Sequence, residues 1–426
     1  MNDLENCSTG MRLLLRLLHV GTLTACLLGA GWVGWMWATG TECTWGNRTP
    51  SEYFAGKVAT GDGPAKGGDL IQHYAAGALW HEGRGEDLYA GYHLGKRINQ
   101  WYESRGIHSA GSHDRLNYVY SPLVAFISSW GTSLPFTQWM PIYLALSILS
   151  YLLGIWLLIR FLIPSRHLWL EGWLVACAFP SFYFTLIPFQ TSTFTLLILI
   201  GAACLLKDGR HFLGGLVVSC VFYKPQLMPW LAVFLIFAGN VRAGAGIVIG
   251  SALWMGSTIL LCGGGETLAW LSVLRGMTQG DQFVMQGLNQ AWIGCLGEGF
   301  ASAQPWSGRS GFLLGAVIFF WLAWQVRSRW KKQTGPGTLF LGCAAWTVCS
   351  TYVGYYDVLL TLPCCLGVLC VEKPEFSRLI LTFLLWIFSL LSISGVATHA
   401  GSASGWNLTA PLVTCYLVGA VYLGVD

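Results

Sequence analysis

The sequence predicts an all-α polytopic membrane protein of about twelve transmembrane helices, with a re-entrant segment and external amphipathic helices. Three observations carry this. Of the 426 residues 54% are hydrophobic and only 10% are charged, whereas a soluble domain carries about a quarter charged. The apolar residues fall into separate runs, many long enough to cross a hydrocarbon core of roughly 30 Å, which takes about 20 residues of helix. Runs such as 139–163 and 243–262 are apolar on every face, whereas barrel strands would alternate apolar and polar residues. The formal charge of +4 is scattered along the chain and implies no nucleic-acid partner.

The first run, 13–37, follows Arg12 and Arg16. It is too long for a cleaved signal and lacks a clear small-x-small site, so it is expected to be a retained anchor. Basic residues collect in cytoplasmic loops, which places the N-terminus inside and residues 38–116 outside. The later basic loops hold Arg160 and Arg166, Lys207 and Arg210, Arg242, Arg327 to Lys332, and Lys373 and Arg378. All are cytoplasmic if crossings lie near 139–163, 168–187, 189–206, 211–223, 226–239, 243–262, 311–327, 338–350, 352–371, 378–395 and 408–425. The segment Tyr118–Leu134, bracketed by Pro122 and Pro135, must then return to the outside, as a re-entrant or surface-lying element. The whole chain, 1–426, is expected to form one transmembrane domain with external loops at 38–116 and 263–310.

Within the first loop, Asp69–His81 reads as an amphipathic helix, with Leu70, Tyr74, Gly77 and Ala78 at helical spacing and Gly83 and Gly85 ending it. A second helix is expected over Tyr89–Tyr102, and both are expected to lie along the membrane interface. Glycines between 61 and 68 make a flexible lead-in. No internal repeat is evident, which counts mildly against transporters built from inverted halves.

Most of the 14 cysteines sit inside apolar runs and read as small buried side chains. No Cys/His spacing suggests a metal site, and no cofactor is expected. A bridge between Cys43 and Cys295 is conceivable, although nothing in the sequence argues for it. Sequons at Asn6, Asn47 and Asn407 are weak patterns that matter only in a secretory pathway.

With this topology the polar residues that interrupt apolar runs converge on the external face. Asp69 is either a first-turn acid, which helices favour anyway, or a carboxylate that takes a proton from a hydroxyl nucleophile. Lys224, in Phe222-Tyr223-Lys224-Pro225-Gln226, is either an ordinary snorkelling lysine or a point-charge partner for a lipid phosphate. As an unpaired external cation it breaks the positive-inside bias. Gln190, Asn289 and Gln290 are amides able to hold sugar hydroxyls or phosphate oxygens, and each alone is also an ordinary helix-end amide. His73 and Tyr120 lie on the same external side. Tyr355 and Tyr356 stand where interfacial tyrosine is expected without function. Asp357 enters an apolar span, where an acid is costly unless it is paired or lines a wet cavity.

The order of these motifs resembles that of the bacterial glycosyltransferase family GT87, polyprenol-phosphate-mannose-dependent enzymes of GT-C architecture. The likeness runs from about residue 65 to 365. Its elements are Asp69-Leu70-Ile71-Gln72-His73-Tyr74 followed by Leu88-Tyr89; Tyr120-Ser121-Pro122-Leu123; Gln190 after a proline turn; Gly214-Gly215-Leu216 leading to Lys224-Pro225-Gln226; and Gly287-Leu288-Asn289-Gln290. Tyr355-Tyr356 stands where many relatives carry a histidine pair. The resemblance implies an inverting transfer of a hexose, mannose in the family, from a polyprenyl-phosphate donor to a lipid or glycan acceptor. The reaction would take place at the external, periplasmic face of the cell (inner) membrane. Asp69 would be the general base and Lys224 the partner of the donor phosphate. His73, Tyr120, Gln190, Gln226, Asn289, Gln290, Tyr355 and Asp357 would bind substrate, with membrane lipids the only other partners. The rival readings are a transporter or flippase for a lipid-linked sugar and a non-catalytic assembly subunit.

Overall fold

The computed structural model describes residues 70–89, 118–163, 169–186, 189–279, 291–299, 306–329, 335–350 and 355–370, with residue 166 and isolated positions within 17–31 and 410–418. Among the described residues every element is helical. Three stretches, Gln138–Leu162, Val241–Cys262 and Arg309–Arg329, are long and apolar enough to cross a membrane. Their outer faces are apolar too: Leu149, Leu153, Trp156, Leu253, Leu260, Val317 and Trp324 are all exposed. A surface of this kind is stable against hydrocarbon and unfavourable against water.

Helix α1 (Leu70–His81) precedes a short 3-10 turn, Gly85–Leu88. Pro122, which needs no N–H at a first helical position, opens α2 (Pro122–Ser128), and the 3-10 turn Ser129–Ser133 continues it. At seven residues α2 is too short to cross a bilayer alone. Then follow α3 (Phe136–Leu157) with a π-turn at Leu158–Leu162, α4 (Trp169–Ala178), α5 (Pro180–Leu186) and α6 (Ser192–Lys207). Next come α7 (His211–Ser219), α8 (Leu227–Phe237), α9 (Val241–Cys262) and α10 (Gly264–Gln279). The last elements are α11 (Trp292–Gly299), α12 (Trp306–Arg329), α13 (Pro336–Cys349), a 3-10 helix Tyr355–Thr361 and α14 (Leu362–Cys370).

Two expectations are corrected. The single crossing read over 168–187 is two helices broken at Phe179-Pro180, because Pro180 cannot supply the N–H that would continue α4. The first-loop helix is not amphipathic. Ile71, Ala75, Ala76 and Leu79 lie outside the stripe of Leu70, Tyr74, Gly77 and Ala78, and they are buried together with Leu70, Ala78, Gln72 and His73. It is therefore packed between other elements instead of lying on an interface. Gly77 allows this, since a Cβ there would fall 2.7 Å from the backbone of Ser128 and Ser129. The expected helix over 89–102 and the apolar run 378–395 lie outside the described residues, as do Cys43 and most of the run 408–425.

Side-chain contacts fix the relative directions of the helices. Tyr143 meets Phe194 with ring centroids 5.5 Å apart, and a Cβ at Gly154 would lie 3.3 Å from Ile200, so α3 and α6 run the same way. Helices α7 and α8 form a hairpin against α9. Asn240 before α9 bonds His211 at the start of α7 (3.1 Å), while Phe222 beyond the end of α7 meets Trp254 (6.3 Å). The crossing of α7 and α9 is close because Gly215 and Gly246 carry no Cβ that would strike the opposing backbone. Trp230 meets Phe312 and Phe237 meets Phe320, so α12 follows α8, while Gly315 lies against Cys349 and Gly342 against Phe234, the partner of Phe319, so α13 returns the other way.

These directions sort the bundle into two ends. One gathers Arg160, Lys207, Arg210, Arg242, Arg327 and Arg329, with the Lys207 ammonium donating to the Phe161 carbonyl. The opposite end gathers Gln190, Ser192, Lys224 and Asp357.

Candidate functional site

Helix α7 stops at Ser219, and the chain turns through residues 220–226, which include Pro225, before α8 starts at Leu227. The turn is held by Lys224 N donating to Val221 O (2.8 Å) and Leu227 N to Lys224 O (3.0 Å). Lys224 thereby faces the bundle and is only 4% exposed. Its ammonium forms an ion pair with Asp357 Oδ1 and donates to Ser192 Oγ at 3.0 Å. Ser192 in turn donates to Asp357 Oδ1 at 2.8 Å. The Tyr356 ring centroid lies 5.3 Å from Lys224 Nζ, within cation–π range.

The structure thus corrects the reading of Lys224 as an unpaired cation. Asp357 meets the condition that makes an acid in an apolar setting tolerable, since it is paired and hydrogen-bonded. An ammonium has three N–H donors. Those to Asp357 and Ser192 fix the position of the nitrogen, and among the described residues the third has no hydrogen-bond acceptor.

Gln190 is also buried at this end. Gln190 N donates to Thr185 O (2.9 Å) and Phe189 N to Leu186 O (3.1 Å), the paired bonds that close a helix C-terminus in a Schellman motif. Glycine normally fills its left-handed position. Here Phe189 has φ of 55°, which costs roughly 1–2 kcal/mol. Its ring packs with Leu70 and Met140, so the strained turn ties Gln190 to the start of α1.

His73, one turn into α1, is buried, and neither ring nitrogen has a hydrogen-bond partner among the described residues. Its ring lies 4.4 Å from that of Tyr120 and 6.2 Å from that of Tyr118. Burial first, and the positive charge of Lys224 second, lower its pKa to about 4. The Tyr118 hydroxyl is likewise buried without a partner, and burial raises its pKa well above the usual tyrosine value. The 118–120 segment is pinned by Tyr89 Oη donating to Tyr120 O (2.6 Å) and Trp270 Nε1 to Val119 O (3.0 Å).

Of the sequence-predicted residues, His73, Tyr120, Gln190, Lys224 and Asp357 gather at this end of the bundle. Gln226 is half-buried two residues after Lys224, and Tyr355 opens the 3-10 helix that carries Asp357. Asp69, Asn289 and Gln290 lie outside the described residues. Leu70, which follows Asp69 in the sequence, is buried against Met140 and Phe189. Sequence reasoning missed Ser192, the hydroxyl that joins lysine and acid. The signal was present in Gln190-Thr191-Ser192-Thr193, four polar residues heading an apolar run. Among the described residues no group of His, Cys, Asp and Glu could hold a metal ion.

The family model for Glycosyltransferase family 87 matches residues 118–351, more than half of the chain. No curated protein and no solved structure matches.

Proposed function

The chain belongs to glycosyltransferase family 87, and from that premise we propose that it is an integral-membrane inverting enzyme moving a hexose, mannose by the family likeness, from a polyprenyl-phosphate donor to a lipid or glycan acceptor. The observation that carries the donor assignment is Lys224, buried and held in place by Asp357 and Ser192, with its third N–H without an acceptor among the described residues.

As the glycosidic bond breaks, charge builds on the departing phosphate. A cation already fixed at that position stabilises it without reorganising. Asp69 is the general base that takes the proton from the acceptor hydroxyl, which then attacks the anomeric carbon from the face opposite the leaving group. Gln190, Tyr120, Gln226, Asn289, Gln290 and Tyr355 hold sugar or acceptor hydroxyls. Asp357 serves the site through Lys224.

A donor with a prenyl chain accounts for housing this chemistry in a bilayer, since the chain lies against the apolar outer faces of the helices. The basic end of the bundle faces the cytoplasm by the positive-inside rule, so the site opens on the periplasmic side of the cell membrane. A transporter would spread polar groups along mid-bilayer, and their gathering at one end favours transfer.

The test is to supply the purified protein with polyprenyl-phosphate sugars and candidate acceptors and follow transfer. Product formation that depends on Lys224 supports the reading. A Lys224→Ala variant that turns over as fast as the wild type removes it.

A further inference from the structure

Among the described residues of the site, Asp357 cancels the charge of Lys224 before any donor arrives. A phosphodiester donor brings one negative charge into surroundings where an uncompensated charge is expensive. Separation of the sugar adds a second. A group able to supply compensating charge must sit beside Lys224, and the described residues offer one. His73 is buried and its two ring nitrogens have no partner among the described residues, and Phe222, two residues before Lys224, packs against the cluster of Ile71 and Tyr118 beside it. Leaving a buried polar group unsatisfied costs about 1–3 kcal/mol, so an imidazole kept this way is held for a ligand.

The other groups facing it do not do this work. From the 118–120 segment it meets the rings of Tyr118 and Tyr120, and Tyr89 lies against Tyr118. Burial raises the pKa of Tyr118 and Tyr89 well above the usual value, so both stay neutral. The α7–α8 turn reaches the same cluster through Phe222, and the charged groups it brings to this end are Lys224 and its partner Asp357. Asp69 precedes it by one helical turn in sequence.

Resting on the donor assignment above, we propose that His73 is the second ligand of the donor phosphate, and that it binds the phosphate as an imidazolium, taking up one proton as the donor enters. In the empty site the cation at Lys224 opposes protonation of the ring. A phosphate placed between the two reverses the sign of the field on the imidazole, and the ring then donates N–H to a phosphate oxygen. The proton comes from solvent. It stays between imidazole and phosphate as the second negative charge develops, while the acceptor's own proton goes to the general base. Tyr118, whose hydroxyl is also unpartnered, stands next to the ring as a further donor.

The experiment is donor-site affinity against pH, using the full chain in detergent and farnesyl methyl phosphate, a diester with no titrating group between pH 5 and 9. Uptake of one proton makes affinity fall about tenfold per pH unit as pH rises toward the bound-state pKa. His73→Gln is expected to bind with a flat profile, and Asp69→Asn to keep the slope. A flat wild-type profile, a slope that survives in His73→Gln, or a slope lost in Asp69→Asn overturns the proposal. Lys224→Ala separates the two readings. If it binds the probe as well as the wild type, the phosphate assignment itself fails. If it loses binding while the wild-type profile is flat, only the role of His73 fails.

Discussion

Lys224 and Asp357 stand 133 residues apart in sequence and meet as a buried ion pair, with the Ser192 hydroxyl bonded to both. Removing one member of such a pair strands a charge in a place where it cannot be solvated. Asp357→Ala is therefore expected to destabilise the protein by about 3–5 kcal/mol. The double variant Lys224→Met, Asp357→Leu is expected to regain most of that stability and to remain inactive. Thermal unfolding in detergent and transfer activity, measured on all three proteins, check this. A double variant as unstable as the single would mean that the pair is not what the fold depends on here.

Ser192→Ala keeps both charges and removes the hydroxyl that donates to Asp357 and accepts from Lys224. Loss of these buried, charge-assisted bonds is expected to cost about 1–3 kcal/mol, and to lower kcat because the ammonium is less well fixed. Unfolding midpoints and steady-state kinetics measure the two effects separately.

Asp69→Asn is expected to lower turnover by about 10²–10⁴-fold, the usual contribution of a positioned general base, with no change in unfolding midpoint. Activity within a few-fold of wild type would take the proton-accepting role away from Asp69.

Gly77→Ala drives a methyl group into the backbone of Ser128 and Ser129. Overpacking of this kind costs about 1–3 kcal/mol. Because α1 carries His73, activity is expected to fall with it. The Gly83→Ala variant, at a positive-φ turn with nothing near the added Cβ, is a control for strain without a clash.

Stability is expected to fall on acidification through His73. The folded-state pKa is about 4 against an ordinary 6.5, so between these values the unfolded chain binds a proton that the folded chain refuses. Stability then decreases as pH drops from 6.5 toward 4, and His73 makes no contribution to pH dependence above that window. Unfolding midpoints of wild type and His73→Gln across this range, where the variant should show the shallower decline, test it.

Several crossings were legible because their cause is local: a run such as 243–262 is apolar on every side and appears as the single helix Val241–Cys262. The break at Pro180 was missed because hydropathy is blind to a missing N–H. The first-loop helix was placed correctly between Leu70 and His81. Its burial was misjudged, since Ile71, Ala75, Ala76 and Leu79 were as apolar as the stripe that was read. Lys224 and Asp357 were each visible as charged residues in improbable surroundings, whereas His73 was marked only by the family resemblance. The bond between the first two was not visible.

The sequence by itself determined that this chain is helical and apolar, where its basic residues collect, and which polar side chains interrupt the helices, because composition and spacing act over one or two turns. Only the tertiary structure decided that Ser192 joins Lys224 to Asp357 and that His73 has no hydrogen-bond partner among the described residues. Those relationships link elements 32 to 165 residues apart, and depend on which helices cross closely enough to bring their ends together.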